Sequence, residues 1–130
     1  MTYKTSREVI QVWLDAVNAR KLDAVVDLYA ADAQLLPTFS PHTLRNRETR
    51  FAYFEQLGTR PGMEVSLHEK TLRVQVVAPN VEIINGIYRF QFAIDDEPLV
   101  FEARFSYLID LSRAAPILHH HSSQIPRTLS

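Results

Sequence analysis

The sequence contains no cysteine, which excludes disulfides, thiol nucleophiles and thiolate metal sites. It has no apolar run near the roughly 20 residues needed to cross a bilayer. Its first residues, Met1 to Glu8, are polar and lack the apolar stretch of a secretory leader. Basic residues never run beyond Arg20-Lys21, and the net charge is −1. A nucleic-acid groove or an anionic membrane surface needs a basic stripe, so neither partner is expected. No glycine-flanked serine marks a nucleophile elbow. Together these absences predict a cytoplasmic protein with no cofactor.

What is present suits one ordinary core. The chain is 46% hydrophobic and 22% charged, and its 130 residues make one domain, 1–130. Thr5-Ser6-Arg7-Glu8 reads as a capping box, followed by Val9, Ile10, Trp13, Leu14 and Val17 as one helical stripe. Asp23 can begin a second short helix that buries Val25, Val26, Leu28 and Tyr29. Leu35-Leu36-Pro37 reads as a short strand stopped by proline. After a turn-rich loop from Thr38 to Thr43, a third helix is expected over Arg47 to Leu57, with Asn46 as its cap. From Met63 the period changes to two. Strands are expected over Val65 to Val77, Val81 to Ile94, Leu99 to Leu111 and Pro116 to Ile125. Helices followed by an antiparallel meander predict an α+β fold with the sheet curled around its helices.

Asp95-Asp96-Glu97-Pro98 reads as a four-residue turn. Pairing Ile94 with Leu99 then sets Arg89 opposite Arg104, with Tyr88, Phe90 and Phe92 against Phe105, Ala103 and Phe101 on the other face. Two facing guanidiniums need a negative partner. Either Glu102 on the same face neutralises them, or they grip a bound carboxylate or phosphate. If they face a pocket, the aromatic face points outward and must be covered by another copy.

The run His119-His120-His121-Ser122-Ser123 lies on the last strand, where His119 and His121 share one side and His120 and Ser122 the other. His119 and His121 are candidate acids or bases. Two imidazoles without a third ligand do not make a metal site, and histidines hydrogen-bonded within the sheet are the competing reading. Trp13, Tyr29, Phe39, Tyr53 and Phe54 either line a cavity or fill the core. His42 and Arg45 sit in the loop before the third helix. Asp27 and Asp32 are weaker candidate bases.

Several segments in order carry a resemblance: Leu35-Leu36-Pro37-Thr38-Phe39-Ser40-Pro41, Tyr53-Phe54-Glu55, Gly86-Ile87-Tyr88-Arg89-Phe90, Ala103-Arg104-Phe105, and Ile117 through Pro126. The chain resembles the association (hub) domain of calcium/calmodulin-dependent protein kinase II. It is similar also to the stand-alone bacterial SgcJ/EcaC-like branch of the SnoaL-like, NTF2-like superfamily. The resemblance implies a cone-shaped, cystatin-like roll with a pocket between helix and curved antiparallel sheet, assembled as a homodimer or larger ring through the outer sheet face. It places the two hub pocket arginines on Arg89 and Arg104. A third hub arginine falls on Ser122, and the hub pocket histidine falls on Arg50. No glycine-rich loop, His-Arg-Asp or Asp-Phe-Gly motif is present, so no kinase activity is expected.

The function expected from all this is a homo-oligomeric pocket protein that binds a small anionic organic ligand. Arg89, Arg104, Arg50, Tyr53, Trp13, His121 and Ser122 are its candidate ligand-binding residues, and no metal is expected. A tailoring enzyme of isomerase, dehydratase or cyclase type, or a purely structural association module, are the alternatives. Fold-level kinship is the only warrant for the enzyme.

Overall fold

The computed structural model describes residues 2–126. Helix α1 (Ser6–Asn18) begins where the capping box places it: the Thr5 hydroxyl accepts a hydrogen bond from the Glu8 amide, 3.1 Å away. Its stripe of Val9, Ile10, Trp13, Leu14 and Val17 is buried throughout. Helix α2 (Leu22–Val26) is short, and strand β1 (Tyr29–Leu36) starts much earlier than Leu35, taking Tyr29 out of the helix. Asn46 caps α3 (Arg47–Gly58) by accepting from the Thr49 amide at 2.9 Å.

The expected strand over Val65 to Val77 is two strands. A 3₁₀ turn at Glu69–Thr71 separates β2 (Glu64–Leu67) from β3 (Arg73–Ala78), and each pairs antiparallel with a different half of β4 (Val81–Ile94). The turn crosses β4 at Gly86. A Cβ there would meet the Leu72 and Thr71 side chains at 3.0 Å and Phe105 at 3.3 Å, so any larger residue would have to push them aside. Strands β5 (Glu97–Asp110) and β6 (Ile117–Gln124) complete the sheet in the order β1-β6-β5-β4-β2. The sheet is mixed, not wholly antiparallel, because β1 runs parallel to β6. No helix among the described residues is long and apolar enough to cross a membrane.

The β4–β5 hairpin corrects the expected register by two positions. Asp95 and Asp96 alone form the turn, with φ of 51° and 64°, and Ile94 pairs with Glu97. Two consecutive left-handed residues give a turn whose twist matches the strands, which is why the loop closes at two residues and not four. Arg89 therefore faces Glu102, and Arg104 faces Ile87. A shift of two preserves the faces, so the aromatic residues still share one side. That side is the core. Tyr88, Phe90, Phe105 and Tyr107 are buried beneath the helices, while Arg89 and Arg104 point out to solvent. The expectation that the arginines face a pocket and the aromatics a second copy is thereby reversed. Burying four aromatic side chains outweighs hiding two guanidiniums, each of which would carry a desolvation cost of several kcal/mol.

Candidate functional site

The space between α1 and the sheet is filled. Trp13 stacks on Tyr88 with ring centres 5.5 Å apart and planes within 9°. His120 stacks on Tyr107 at 3.7 Å. What remains is a hollow of about 10 Å³, at the lower limit for a single water. A pocket under the helix, as the resemblance implied, is therefore closed by aromatic side chains.

Within this packing runs a polar chain contributed by α1, β1, β4 and β6. Trp13 Nε1 donates to the Tyr29 hydroxyl at 3.0 Å, Tyr29 meets His120 Nδ1 at 2.7 Å, and His120 Nε2 meets the Tyr88 hydroxyl at 3.1 Å. Ser122 and Thr38 border the same small hollow as Tyr88, and their hydroxyls are hydrogen-bonded to each other. Burial, then the adjoining His119 and His121, push His120 well below the ordinary imidazole range. It is a neutral imidazole. Burial likewise raises Tyr29 and Tyr88, so both remain phenols.

The open space lies beside this chain. A cleft of about 620 Å³ sits between α3, the loop after β1 and the β4–β5 hairpin tip. Its walls include Phe39, Tyr53, Leu57, Phe92 and Phe101, with Thr38 on the side nearest the polar chain. Among the described residues lining it, Arg60 is the only charged one, and its guanidinium lies 5.6 Å from the Phe92 ring centre. Phe39 packs edge-on against Phe90, Phe92 and Phe101 and so separates the cleft from the interior. The Phe39 amide donates to the Tyr53 hydroxyl at 3.3 Å. Burial raises the Tyr53 phenol to about 12, so it too stays protonated.

The sequence-predicted site residues scatter over these environments. Tyr53 lines the cleft, and Trp13 belongs to the interior chain. Arg50 is buried and committed to backbone. It donates to the carbonyls of Ala33 at 2.7 Å, Ala30 at 3.1 Å and Ala31 at 3.4 Å. These carbonyls lie where the β1–β6 pairing is interrupted between Tyr29 and Gln34. The guanidinium thus supplies donors that the ladder does not, and it holds β1 to α3. Arg89 binds Glu102 at 2.7 Å, and His68 shares the other carboxylate oxygen at 2.7 Å. Burial alone would raise Glu102, but these two hydrogen bonds hold its carboxyl below the usual range. So Glu102 does neutralise Arg89, while Arg104 lies apart beside Ile87 and Ser123. His119 and His121 are on the outer face and Ser122 on the inner, as alternation required. Asp27 is paired with Arg47 at 2.8 Å. Among the described residues, no group of three or more His, Asp or Glu is placed to hold a metal.

The sequence marks Tyr29 only as a cavity or core aromatic and His120 only as part of the histidine run, and it does not single out Arg60. For His120 the signal was there: it shares its parity with Ser122, and it neighbours the core-facing Tyr107 once β5 and β6 are paired. Arg60 offered none, since a cation after a helix end reads as solvated.

Helices laid on a curved mixed sheet of this order define a cystatin-like, NTF2-like α+β fold. The same fold is seen in an uncharacterised cystatin-like protein of Caulobacter vibrioides (14% identity, TM-score 0.76, covering 92% of this chain and 87% of that one). It is seen again in the beta subunit of benzoate 1,2-dioxygenase from Burkholderia mallei (17%, 0.74, 95% and 93%). Within that fold, the chain belongs to the calcium/calmodulin dependent protein kinase II association domain family, whose model matches residues 5–126. A Xanthomonas campestris structure bearing the same association-domain description is 26% identical, with a TM-score of 0.81 over 97% of this chain and 91% of that one. No curated protein matches the sequence.

Proposed function

We propose that the chain is a pocket protein that takes a small organic molecule with an apolar body into the cleft beside α3 and works as an assembly of its own copies. The observation that carries the first part is the cleft itself: about 620 Å³, walled by aromatic rings, with one cation at Arg60. Ligand sites are commonly concave, mostly apolar and furnished with few polar groups. An anionic group on the ligand would find its counter-charge at Arg60, in place of the Arg89–Arg104 pair expected from sequence.

Titration with 1-anilinonaphthalene-8-sulfonate, an apolar anion that brightens on leaving water, tests this reading. Binding is expected at one site per chain. Ala52→Trp, an exposed position on the cleft-lining side of α3, should fill the cleft and weaken binding at least about tenfold without unfolding the protein. Arg60→Gln should weaken it by a smaller factor that shrinks with added salt. Unaltered binding in Ala52→Trp would remove the cleft from consideration.

The second part rests on the family and on β3, where all six residues are exposed at the sheet edge and Val74, Val76 and Val77 stand 46–68% open. Bare strand edges invite pairing with another chain. Light scattering should give a mass that is a multiple of 15.0 kDa. A double change, Val74→Glu with Val76→Glu, should shift it towards one chain. A wild-type mass of a single chain would defeat the assembly reading. Neither His119 nor His121 lines this cleft; His121 borders a separate hollow of about 290 Å³ that His42 also lines.

A further inference from the structure

The margins of a sheet carry backbone amides and carbonyls with no strand beside them, and most margins of this sheet are closed. Along β1, the Leu35 amide donates to the Leu44 carbonyl at 2.9 Å, and the Leu44 amide returns a bond at 2.8 Å. Arg50 takes the carbonyls of Ala30, Ala31 and Ala33 on the same strand. Along β2, the Asn18 side chain stands in for a neighbouring strand. Its Nδ2 donates to the Val65 carbonyl at 2.9 Å, and its Oδ1 accepts from the Val65 amide at 2.8 Å. Where β4 runs past β2, the Ala93 amide donates to the Pro61 carbonyl at 2.9 Å. Where β5 runs past β6, the strand opens with Glu97-Pro98. Proline has no amide proton to offer, and Asp95, Asp96 and Glu97 surround that tip with negative charge.

Strand β3 has none of these closures. One side of it pairs with β4, and among the described residues no other strand and no side chain is hydrogen-bonded to its backbone. Its sequence, Arg73-Val74-Gln75-Val76-Val77-Ala78, is rich in β-branched residues, lacks proline and carries a single charge. Val74 and Val76 pair with Ile84 and Glu82 of β4, while Arg73 and Gln75 pair with Asn85 and Ile83. Ile84 is wholly buried, so the two valines lie on the core side of the sheet. The apolar face that the helices cover therefore ends at this margin in valines open to water.

We propose that β3 pairs antiparallel with β3 of a second copy about a two-fold axis at Gln75, so that one sheet continues through both chains. This rests on the assembly reading above and adds the register of the contact. The alignment sets Val74 opposite the partner's Val76, which gathers four valines on the core side of the joined sheet. Gln75 meets the partner's Gln75, and a side-chain amide, with donors and an acceptor, complements itself. Arg73 falls opposite the partner's Val77 and away from the partner's Arg73, so no like charges face each other. A slip of one residue would set glutamine against valine and lose both matches. Six residues a side fall short of the roughly 20–30 that a stable interface uses. Association through this edge is therefore reversible and depends on concentration.

The chain has no cysteine, so one introduced thiol reports the register without interference. Directly opposed strand residues have Cα atoms about 4.5–5.5 Å apart, inside the range a disulfide spans. Under mild oxidation with diamide, Gln75→Cys is expected to give a disulfide-linked dimer at least about tenfold faster than Arg73→Cys. The two Arg73 positions stand roughly 13 Å apart along the strands, too far to be bridged. Gln75→Lys and Gln75→Glu should each weaken association about two- to fivefold in sedimentation, and an equal mixture of the two should restore it. Equal cross-linking of the two cysteine variants would overturn the inference, because random collision then explains the bond. So would the absence of any cross-link in a protein whose wild-type mass is still a multiple of 15.0 kDa, a result that leaves the assembly reading standing. A wild-type protein of single-chain mass at every concentration would overturn the assembly reading and this inference together.

Discussion

Replacing Arg50 with methionine is expected to lower the stability of the fold by about 2–4 kcal/mol, measured as a fall in the urea midpoint at unchanged slope. Methionine matches much of the side chain's bulk, so the loss isolates the hydrogen bonds. Three carbonyls, those of Ala30, Ala31 and Ala33, lose their guanidinium donor. A buried carbonyl left unsatisfied costs about 1–3 kcal/mol. Ala31 is exposed, so water can replace one bond, while Ala30 and Ala33 are buried. Removing a buried charge offsets part of the loss, and the lower half of the simple sum is the expected result. Arg50→Lys should recover little of it, since one ammonium cannot span the three acceptors. If Arg50 were instead a ligand contact, the methionine variant would keep its stability and lose only binding. A loss below about 1 kcal/mol would therefore refute the structural role.

Acid should destabilise the protein before its carboxylates titrate, and His120 is the reason. In the unfolded chain its imidazole takes a proton near pH 6.5. In the folded protein burial keeps it neutral until the pH is well below that. Between those limits the unfolded state holds one more proton than the native state, so stability rises with pH and falls as pH drops. The slope for one such group approaches about 1.4 kcal/mol per pH unit. Glu102, Asp110 and Glu69 also have depressed native values and act in the same direction, but at lower pH. Their contribution is present above the unfolded carboxylate range and disappears below it, near pH 4. Unfolding measured from pH 7 to 5 thus reads His120. His120→Phe preserves the stack on Tyr107 but takes from the Tyr29 and Tyr88 hydroxyls their shared hydrogen-bond partner. It should be less stable at pH 7 by about 2–4 kcal/mol and nearly flat from pH 7 to 5. Parallel slopes in the two proteins would contradict this account.

The family and the α+β architecture could be read from the order of segments, and the helix starts from Thr5 and Asn46, because caps and amphipathic stripes are local. The hairpin register was not local in the same way. Glu97-Pro98 reads as turn material, yet the left-handed pair Asp95-Asp96 closes the loop alone, and two residues of strand reappear. Face assignment survived this error because side chains alternate with period two. What sequence could not supply was which face the helices cover, and that choice moved Arg89 and Arg104 from pocket to solvent. Parallel pairing of β1 with β6 was equally hidden, since partners so distant leave no mark on either segment. Arg50 depends on that pairing: its role exists only because the ladder is interrupted beside it. The cleft is likewise assembled from a loop, a helix and a hairpin tip that no single pattern connects.

The parallel pairing of β1 with β6 has a consequence for how the chain comes to be folded. Tyr29 meets Ile117, roughly ninety positions later. At about 5–20 residues per second of synthesis, β1 waits on the order of 5–20 s for its neighbour. During that time the helices and the β4–β5 hairpin can form from near contacts, whereas the sheet's far margin cannot close. His120 arrives on the same late strand, so the interior acquires its hydrogen bonds at the step that completes the sheet. Until then Tyr29 has only its Trp13 hydrogen bond and Tyr88 only apolar packing, and a nascent chain stalled before β6 would be a loosely packed, sticky species for chaperones to shelter.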